Sequence, residues 1–291
     1  MPRSRESLTA LLDQYMAALC ARDASRLPLA QDVRFTENGQ SLPMDRALWA
    51  TASGTPYPRH IDFIEPEAGQ AGAFSVIDEN GRPVVMSLRI KAEDGRITEA
   101  EHLVCRGHDP LFLPEGMSAP ATQFRTVDPA LRPSRAEAIG VANAYFDGIE
   151  QDDGDMIPVC DDCIRTENGL QTVLAPEASL SAERRGFTLG ALGVRGQINT
   201  RYFRYITEIR DRRYPIFDQQ LSAIFGVVFF EHPGTVRSVQ VQGYGEIELA
   251  PFTQRPSSAM IAELFQIEDG QIRTIAAILD FFPYGMKSGW Q

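Results

Sequence analysis

An internal repeat limits the folds open to this chain more than any other feature of its sequence. The tetrapeptide Thr-Glu-Asn-Gly occurs at residues 36–39 and again, without gaps, at residues 166–169. A second shared tripeptide, Glu-Asp-Gly, occurs in the same order at residues 93–95 and 268–270. The first pair is shifted by 130 residues and the second by 175, so the later copy carries 45 additional residues between its anchors. We therefore expect two tandem copies of one small domain.

Each copy places its helical pattern before its strand pattern. In the first copy, apolar residues at helical spacing predict a long helix over about 5–22, and a short helix is expected near 24–30. Strands joined by Asn-Gly, Glu-Asn-Gly and Glu-Asp-Gly turns are expected near 32–37, 72–78, 83–91 and 96–105. Helices followed by an antiparallel meander indicate an α+β fold with helices on one face of a sheet.

The second copy begins at a helix start signal. Ser134 is a good N-cap with Glu137 three residues later, and five prolines precede it between residues 109 and 133. We therefore predict a first domain at 1–110, a proline-rich linker at 111–133 and a second domain at 134–291. The extra residues fall in an insertion at 176–220 with a helix near 196–212, and an aromatic tail follows Phe282. Strands are expected in this copy near 220–231, 235–249, 257–267 and 271–282.

Charge and composition exclude several classes of partner. The net charge of −11 disfavours nucleic acid and anionic membrane surfaces, because both need a basic protein surface. No apolar run is long enough to span a membrane, and the first residues lack the apolar segment of a secretory signal. We expect a cytoplasmic protein that acts on a small molecule.

Sequence motifs for metals and cofactors are missing as well. Cys160 and Cys163 form one Cys-x-x-Cys, but no second pair or nearby histidine accompanies it, which favours buried thiols over a metal site. No dinucleotide-binding glycine motif, metal-binding histidine pair or nucleophile-elbow serine is present. The sequence therefore predicts neither a metal nor a cofactor.

The chain resembles the nuclear-transport-factor-2-like superfamily, which includes the SnoaL-like cyclases, scytalone dehydratase and ketosteroid isomerase. Within this superfamily the chain resembles, more narrowly, a SnoaL-related family of unassigned function. Three segments carry that resemblance: Arg-Phe-Thr-Glu-Asn-Gly at 34–39, Leu-Arg-Ile-Lys-Ala-Glu-Asp-Gly at 88–95 and Pro-Tyr-Gly-Met-x-Ser-Gly-Trp at 283–290. It implies two tandem cone-shaped α+β barrels, each a curved antiparallel sheet packed on helices around a cavity. Enzymes of this superfamily usually run cofactor-free acid–base chemistry, although other members only bind or scaffold.

The resemblance to ketosteroid isomerase also implies roles for residues. Its oxyanion-binding tyrosine matches Tyr15 and, through the repeat, Tyr145. Its carboxylate base lies one or two positions from Glu37 and Glu167, and its second acid matches Glu263. The first copy has Ser87 or Leu88 at the last position, so we expect it to lack a third polar group. Each tyrosine could equally be a core residue, and each glutamate could decorate a turn.

Further candidates come from the residue pattern of the second copy. Asp280 interrupts an apolar strand, where a charge is costly unless it is paired. His232 ends a strand and faces either a pocket mouth or solvent, and Arg165 could bind a carboxylate or a phenolate. His102, in the last strand of the first copy, is expected on the face of Ala100 and Val104. The remaining substrate-binding candidates are an amide that either forms a turn or holds a water molecule, four aromatic residues and a cation in the tail: Asn168, Tyr205, Tyr244, Tyr284, Trp290 and Lys287.

The sequence predicts a cofactor-independent lyase, dehydratase or isomerase for a small aromatic or polycyclic compound. The proton acceptor is Glu167, Asp280 or His232, and Tyr145 with Glu263 stabilises the oxyanion. One concrete version is a lyase that releases formaldehyde from lignin-derived phenolics. A non-catalytic binding or scaffold protein and an epoxide or ester hydrolase are the alternatives. We also expect a homo-oligomer.

Overall fold

A computed structural model of the chain describes residues 4–54, 61–107, 111–117, 123–175 and 189–290. Within these ranges, two copies of the same arrangement follow one another: a long helix, a 3-10 turn, a first strand ending in Asn-Gly, and a closing meander. The predicted α+β class and the tandem arrangement of curved antiparallel sheets on helices are confirmed. No helix in the described ranges is both long and apolar enough to cross a membrane.

Copy one begins with helix α1 (Arg5–Cys20), which Ser4 caps through a reciprocal bond with Ser7. Helix α2 is one turn, Leu48–Thr51. The strands are β1 (Leu29–Glu37), β2 (Gln40–Ser41), β3 (Ala52–Ser53), β4 (Ile61–Glu65), β5 (Gln70–Glu79), β6 (Arg82–Glu93) and β7 (Arg96–Cys105). The sheet order is β2-β1-β7-β6-β5-β3, with β4 also paired to β5.

Copy two begins with helix α3 (Arg135–Glu150), capped by Ser134 and Glu137 as the sequence predicts. A short helix, α4 (Val194–Asn199), lies in the insertion. The strands are β8 (Val159–Glu167), β9 (Leu170–Gln171), β10 (Glu208–Asp218), β11 (Ala223–His232), β12 (Ser238–Val241), β13 (Gly245–Glu248), β14 (Ser257–Glu268) and β15 (Gln271–Pro283). The main sheet has the order β10-β11-β14-β15-β8-β9, and β12 and β13 form a separate hairpin.

The repeated Asn-Gly has the same structural role in both copies. In each copy the first strand runs parallel to the last, and the asparagine follows at the end of that pairing. The Asn168 side chain donates to the Leu279 carbonyl at 2.9 Å and accepts from its N–H at 3.0 Å. Asn38 does the same with Val104, at 3.1 and 2.7 Å. The amide thus replaces a strand residue, which explains why this anchor recurs.

The two sheets pack face to face. One face of each sheet covers the helices of its own copy, while the other contributes to a shared core. Side chains alternate between these cores along β14: Ile261 and Phe265 face α3, whereas Met260 and Leu264 face copy one. Copy one contributes Phe63, Phe74, Val85 and Leu103 to the shared core, and the connecting segment contributes Met117 and Phe124. Burial of these large side chains joins the copies through the hydrophobic effect.

Some predicted elements differ from the structure. The helix expected near 24–30 is only a 3-10 turn, Ala24–Arg26. The helix expected near 196–212 ends at Asn199, because residues from Glu208 onward pair with β11 instead. The strand expected at 235–249 is the hairpin of β12 and β13. Residues 176–188 of the predicted insertion lie outside the described residues.

Candidate functional site

Copy two contains a cavity between its sheet and its insertion. It encloses about 100 Å³ of free volume, and its wall is largely apolar. Three secondary-structure elements supply polar side chains to it: Tyr145 from α3, Arg165 and Glu167 from β8, and His232 from β11. The rest of the wall is mostly aromatic and aliphatic and includes Ile198, Tyr202, Tyr205, Phe230, Ile261, Leu279 and Phe281. An apolar cavity with a few convergent polar groups is the usual form of a small-molecule site.

Arg165 is the centre of the polar cluster and is only 3% exposed. Its Nε donates to Glu167 Oε2 at 3.1 Å and to Thr172 Oγ1 at 2.9 Å. Its Nη1 donates to the Tyr145 hydroxyl at 3.1 Å, and its Nη2 donates to Gln197 Oε1 at 2.6 Å. Burial opposes the charge, but Glu167 and Tyr145 more than compensate and raise the pKa of Arg165. The guanidinium is therefore a fixed cation at the cavity wall.

Glu263 lies behind this cluster. It is 3% exposed and occupies the cavity-facing side of β14, between Gly226 on β11 and Ala277 on β15. Burial and the nearby charge of Glu167 raise the pKa of Glu263 to about 8, although Arg165 and a hydrogen bond from Tyr145 act in the opposite direction. Burial likewise raises the pKa of Tyr145. Tyr145 thus accepts from Arg165 and donates to Glu263, so it links the two.

Glu167 is the more accessible carboxylate. Its side chain is 19% exposed, lines the cavity and pairs with Arg165 Nε at 3.1 Å. In copy one the equivalent Glu37 is buried and accepts from the Leu48 N–H at 2.9 Å and from Arg106 Nη2 at 2.6 Å. Burial opposes ionisation of Glu37, but His102 and Arg106 outweigh it and lower the pKa. Glu167 therefore lines a cavity, whereas Glu37 is held by Leu48 and Arg106.

His232 approaches the cavity from β11. Its ring centroid lies 5.2 Å from that of Tyr205 and 5.6 Å from that of Phe281. Burial lowers the pKa of His232 to about 4, so the ring is neutral at pH 7. From the sequence, His232 faces either a pocket mouth or solvent. In the structure it is buried in the cavity wall.

The other predicted site residues lie elsewhere. Asn168 is buried in the strand-like role described above. Asp280 pairs with Met260, on the face directed at copy one, and accepts from the Phe281 N–H at 2.8 Å. Tyr244 packs on the β12–β13 hairpin. Tyr284 and Lys287 are exposed on the tail.

Trp290 packs on copy one. Its indole donates to Thr36 Oγ1 at 2.9 Å. The guanidinium carbons of Arg34 and Arg89 lie 4.4 and 4.6 Å from the centroid of its ring. The tail thus bridges the two copies by cation–π contacts and does not line the cavity.

Copy one has a polar cluster of its own, which corrects the expectation that it lacks a third polar group. Leu88 occupies the repeat position of Glu263, but His102 on the neighbouring strand supplies the third polar group. The Tyr15 hydroxyl and His102 Nε2 are 2.9 Å apart, and His102 Nδ1 lies 3.7 Å from Glu37. Tyr15, His102 and Glu37 are all buried, and His102 lies on the predicted face with Ala100 and Val104.

Two residues that hold Arg165 were missed from the sequence. Thr172 follows β9, and Gln197 lies on α4 and also donates to the Thr172 carbonyl at 2.5 Å. No local pattern in the sequence indicates either role, because the burial of Gln197 is visible only in the structure. Among the described residues, no group of three or more His, Cys, Asp or Glu side chains is arranged to hold a metal ion. Cys160 and Cys163 carry free thiols.

The fold and the site define a tandem α+β protein in which each copy holds a buried polar cluster around the tyrosine of its long helix. A family model described as a domain of unknown function, DUF8021, matches residues 1–104 and 131–279. The chain therefore belongs to that family. A comparison with curated proteins finds no match.

Several solved structures are each similar to about one copy. An NTF2-like protein of unknown function from Cytophaga hutchinsonii has 16% identity and a TM-score of 0.29, over 34% of this chain and 89% of that one. A protein provisionally named a ketosteroid isomerase, from Kribbella flavida, has 14% identity and a TM-score of 0.30, over 36% and 82%. A protein provisionally named a polyketide cyclase, from Xanthomonas campestris, has 19% identity and a TM-score of 0.28, over 34% and 90%. Proteins described as NTF2-like are thus among the structures similar to this chain, as the sequence predicts.

Proposed function

We propose that copy two is a lyase, dehydratase or isomerase that uses side-chain acid–base chemistry on a small monocyclic molecule. The observation that carries this proposal is the position of Arg165, a buried cation fixed beside Glu167 at the wall of an apolar cavity. A guanidinium has five N–H donors. Bonds to Glu167, Thr172, Tyr145 and Gln197 use Nε and one hydrogen on each Nη, so two hydrogens have no partner among the described residues.

These two hydrogens suit an oxygen that gains negative charge during a reaction. A fixed donor in a water-poor site stabilises such an oxygen strongly, because it needs no reorganisation as the charge develops. Glu167 lies next to it and can take a proton from the substrate. The bonding pair then moves toward the oxygen held by Arg165. Return of the proton at another carbon completes an isomerisation, whereas its transfer to a leaving hydroxyl releases water.

The size of the cavity narrows the substrate class. An engineered cavity of about 150 Å³ admits benzene, and the free volume here is about 100 Å³. A single ring fits with small side-chain movements, so we favour monocyclic over polycyclic substrates. One form of the proposal is release of formaldehyde from a hydroxymethyl phenol. Glu167 would first move the phenol proton to the ring carbon that bears the hydroxymethyl group, which gives a ketone whose oxygen Arg165 holds. Glu167 would then take the hydroxymethyl O–H proton, and the pair from the broken carbon–carbon bond would restore the ring as a phenolate while formaldehyde leaves. Return of the proton from Glu167 to the phenolate oxygen would complete the reaction.

Turnover of a panel of small hydroxylated aromatics and enones, followed by mass spectrometry, tests the proposal. We expect Glu167→Gln to lower the rate by about 100-fold or more, since general acid–base groups typically contribute that much. Asp161→Asn is the matched control, because Asp161 lies on the same strand with its side chain 98% exposed. Equal rates in the two variants would contradict the assignment. Ligand binding without turnover by the wild-type protein would instead favour a non-catalytic binding protein.

A further inference from the structure

His232 is a polar group of the cavity wall that the proposed reaction does not use. His232 is 4% exposed, yet neither Nδ1 nor Nε2 has a hydrogen-bond partner in the part of the chain that the structure describes. The rings around it belong to Tyr205 and Phe281, which also line the cavity. Because buried polar groups in proteins are almost always hydrogen-bonded, an imidazole that lacks both partners is a marked exception.

The chemistry of the ring defines what would satisfy it. A neutral imidazole has one N–H donor and one acceptor nitrogen. A hydroxyl both donates and accepts, so it can pair with either nitrogen in either tautomer. A carboxylate only accepts, and its charge would be poorly solvated among the surrounding aromatic rings. A methyl group would leave the nitrogens unpaired.

We infer that His232 is the binding anchor for a neutral hydroxyl group on the ligand of the copy-two cavity. It enters from β11, whereas Arg165 enters from β8, with β14 and β15 between them. The hydroxyl therefore lies on the side of the cavity away from the oxygen held by Arg165. This inference rests on the proposed function only in taking the cavity as the substrate site, and it narrows the substrate to hydroxyl-bearing compounds such as phenols.

Phenol and toluene are suitable probes, because they have nearly the same shape and differ in one hydroxyl. We expect the wild-type protein to bind phenol at least about tenfold more tightly than toluene in calorimetric titrations, since an unpaired buried polar group weakens binding by that order. His232→Phe keeps an aromatic ring of similar size and should bring the two affinities within about threefold. A tenfold preference that survives in His232→Phe would overturn the inference.

Glu167→Gln separates this inference from the proposed function. That variant should lose turnover but keep the preference for phenol, because Glu167 is not the anchor. If it keeps the preference while the wild-type protein turns over no substrate, the anchor stands and the proposed reaction fails. If turnover depends on Glu167 but His232→Phe leaves the preference intact, the reaction stands and the anchor fails.

A measurement on the unaltered protein covers the case in which His232→Phe does not fold. The chain has four histidines, so their ring nitrogens can be resolved by nitrogen-15 NMR. Phenol should shift the two ring-nitrogen resonances of one buried, neutral imidazole, and toluene should leave them in place. Equal shifts with both probes, or none with either, would contradict a hydroxyl anchor.

Discussion

Replacing Glu263 with glutamine should change how the free energy of unfolding depends on pH. In the folded protein, burial raises the pKa of Glu263 from 4.5 to about 8. In the unfolded chain the carboxyl recovers its ordinary pKa, so between these values the folded protein holds one more proton. The free energy of unfolding should therefore fall as pH rises, by about 1.4 kcal/mol per pH unit. Over the whole window the loss is about 5 kcal/mol.

His232 has the opposite effect in a lower window. Its pKa falls from 6.5 in the unfolded chain to about 4 in the folded protein. Between these values the unfolded chain holds the extra proton, so stability rises with pH at the same rate of about 1.4 kcal/mol per unit. The contributions of Glu263 and His232 cancel from pH 4.5 to 6.5. Above pH 6.5 Glu263 acts alone, and its contribution falls by about 2 kcal/mol by pH 8.

Urea unfolding followed by circular dichroism at several pH values between 4.5 and 8 tests this reasoning. In the wild-type protein, the combined contribution of Glu263 and His232 to the free energy of unfolding should stay constant up to pH 6.5 and then fall. The contributions of all other titratable groups add the same background to every variant. Glu263→Gln, which retains a hydrogen-bonding partner for Tyr145, should gain stability up to pH 6.5 and then be level. His232→Phe should lose stability throughout the range. Parallel curves for the wild-type protein and Glu263→Gln would refute the assignment of a raised pKa to this carboxyl.

Two further predictions concern how the copies are joined. Gly169→Ala should destabilise the protein by at least about 3 kcal/mol, because φ is +93° and an added Cβ would lie 1.9 Å from the Leu113 carbonyl oxygen. Its repeat twin Gly39→Ala, whose nearest contact would be a flexible side chain at 3.1 Å, should cost only about 1 kcal/mol. Urea unfolding measures both, and equal losses would contradict the clash. By the same measurement, Trp290→Ala should lower the free energy of unfolding by about 2 kcal/mol, because its contacts with arginines are lost. Tyr284→Ala is the control and should be nearly neutral, because Tyr284 is 52% exposed. A neutral Trp290→Ala would show that the tail contributes little to stability.

Much of the fold and part of the site follow from local patterns in the sequence. The repeat predicts two equivalent domains, and strand alternation from Ala277 separates Leu279 and Phe281, which line the cavity, from Asp280, which does not. A charge within an apolar strand favours a functional role for Asp280, but its half-buried side chain lies on the face directed at copy one. The position of Trp290 could not be predicted in this way, because its arginine partners are distant in sequence and no local pattern specifies them.

The polar clusters around Tyr15 and Tyr145 differ because one pair of facing strand residues differs between the two copies. Copy one has Leu88 and His102 where copy two has Glu263 and Ala277. His102 fills the space beside its tyrosine and satisfies the hydroxyl, so that cluster is closed.

Copy two has only a methyl group at Ala277. At the position equivalent to Phe35, whose ring packs on His102 at 4.9 Å, it has Arg165. The guanidinium therefore takes the place of the imidazole next to the tyrosine, and two of its hydrogens have no partner within the described ranges. A single substitution in copy one cannot reproduce this arrangement, because Phe35→Arg would bring a cation against His102. The proposed capacity to hold an anionic oxygen thus depends on at least two coupled positions, which is why a repeat so similar in fold differs in its polar chemistry.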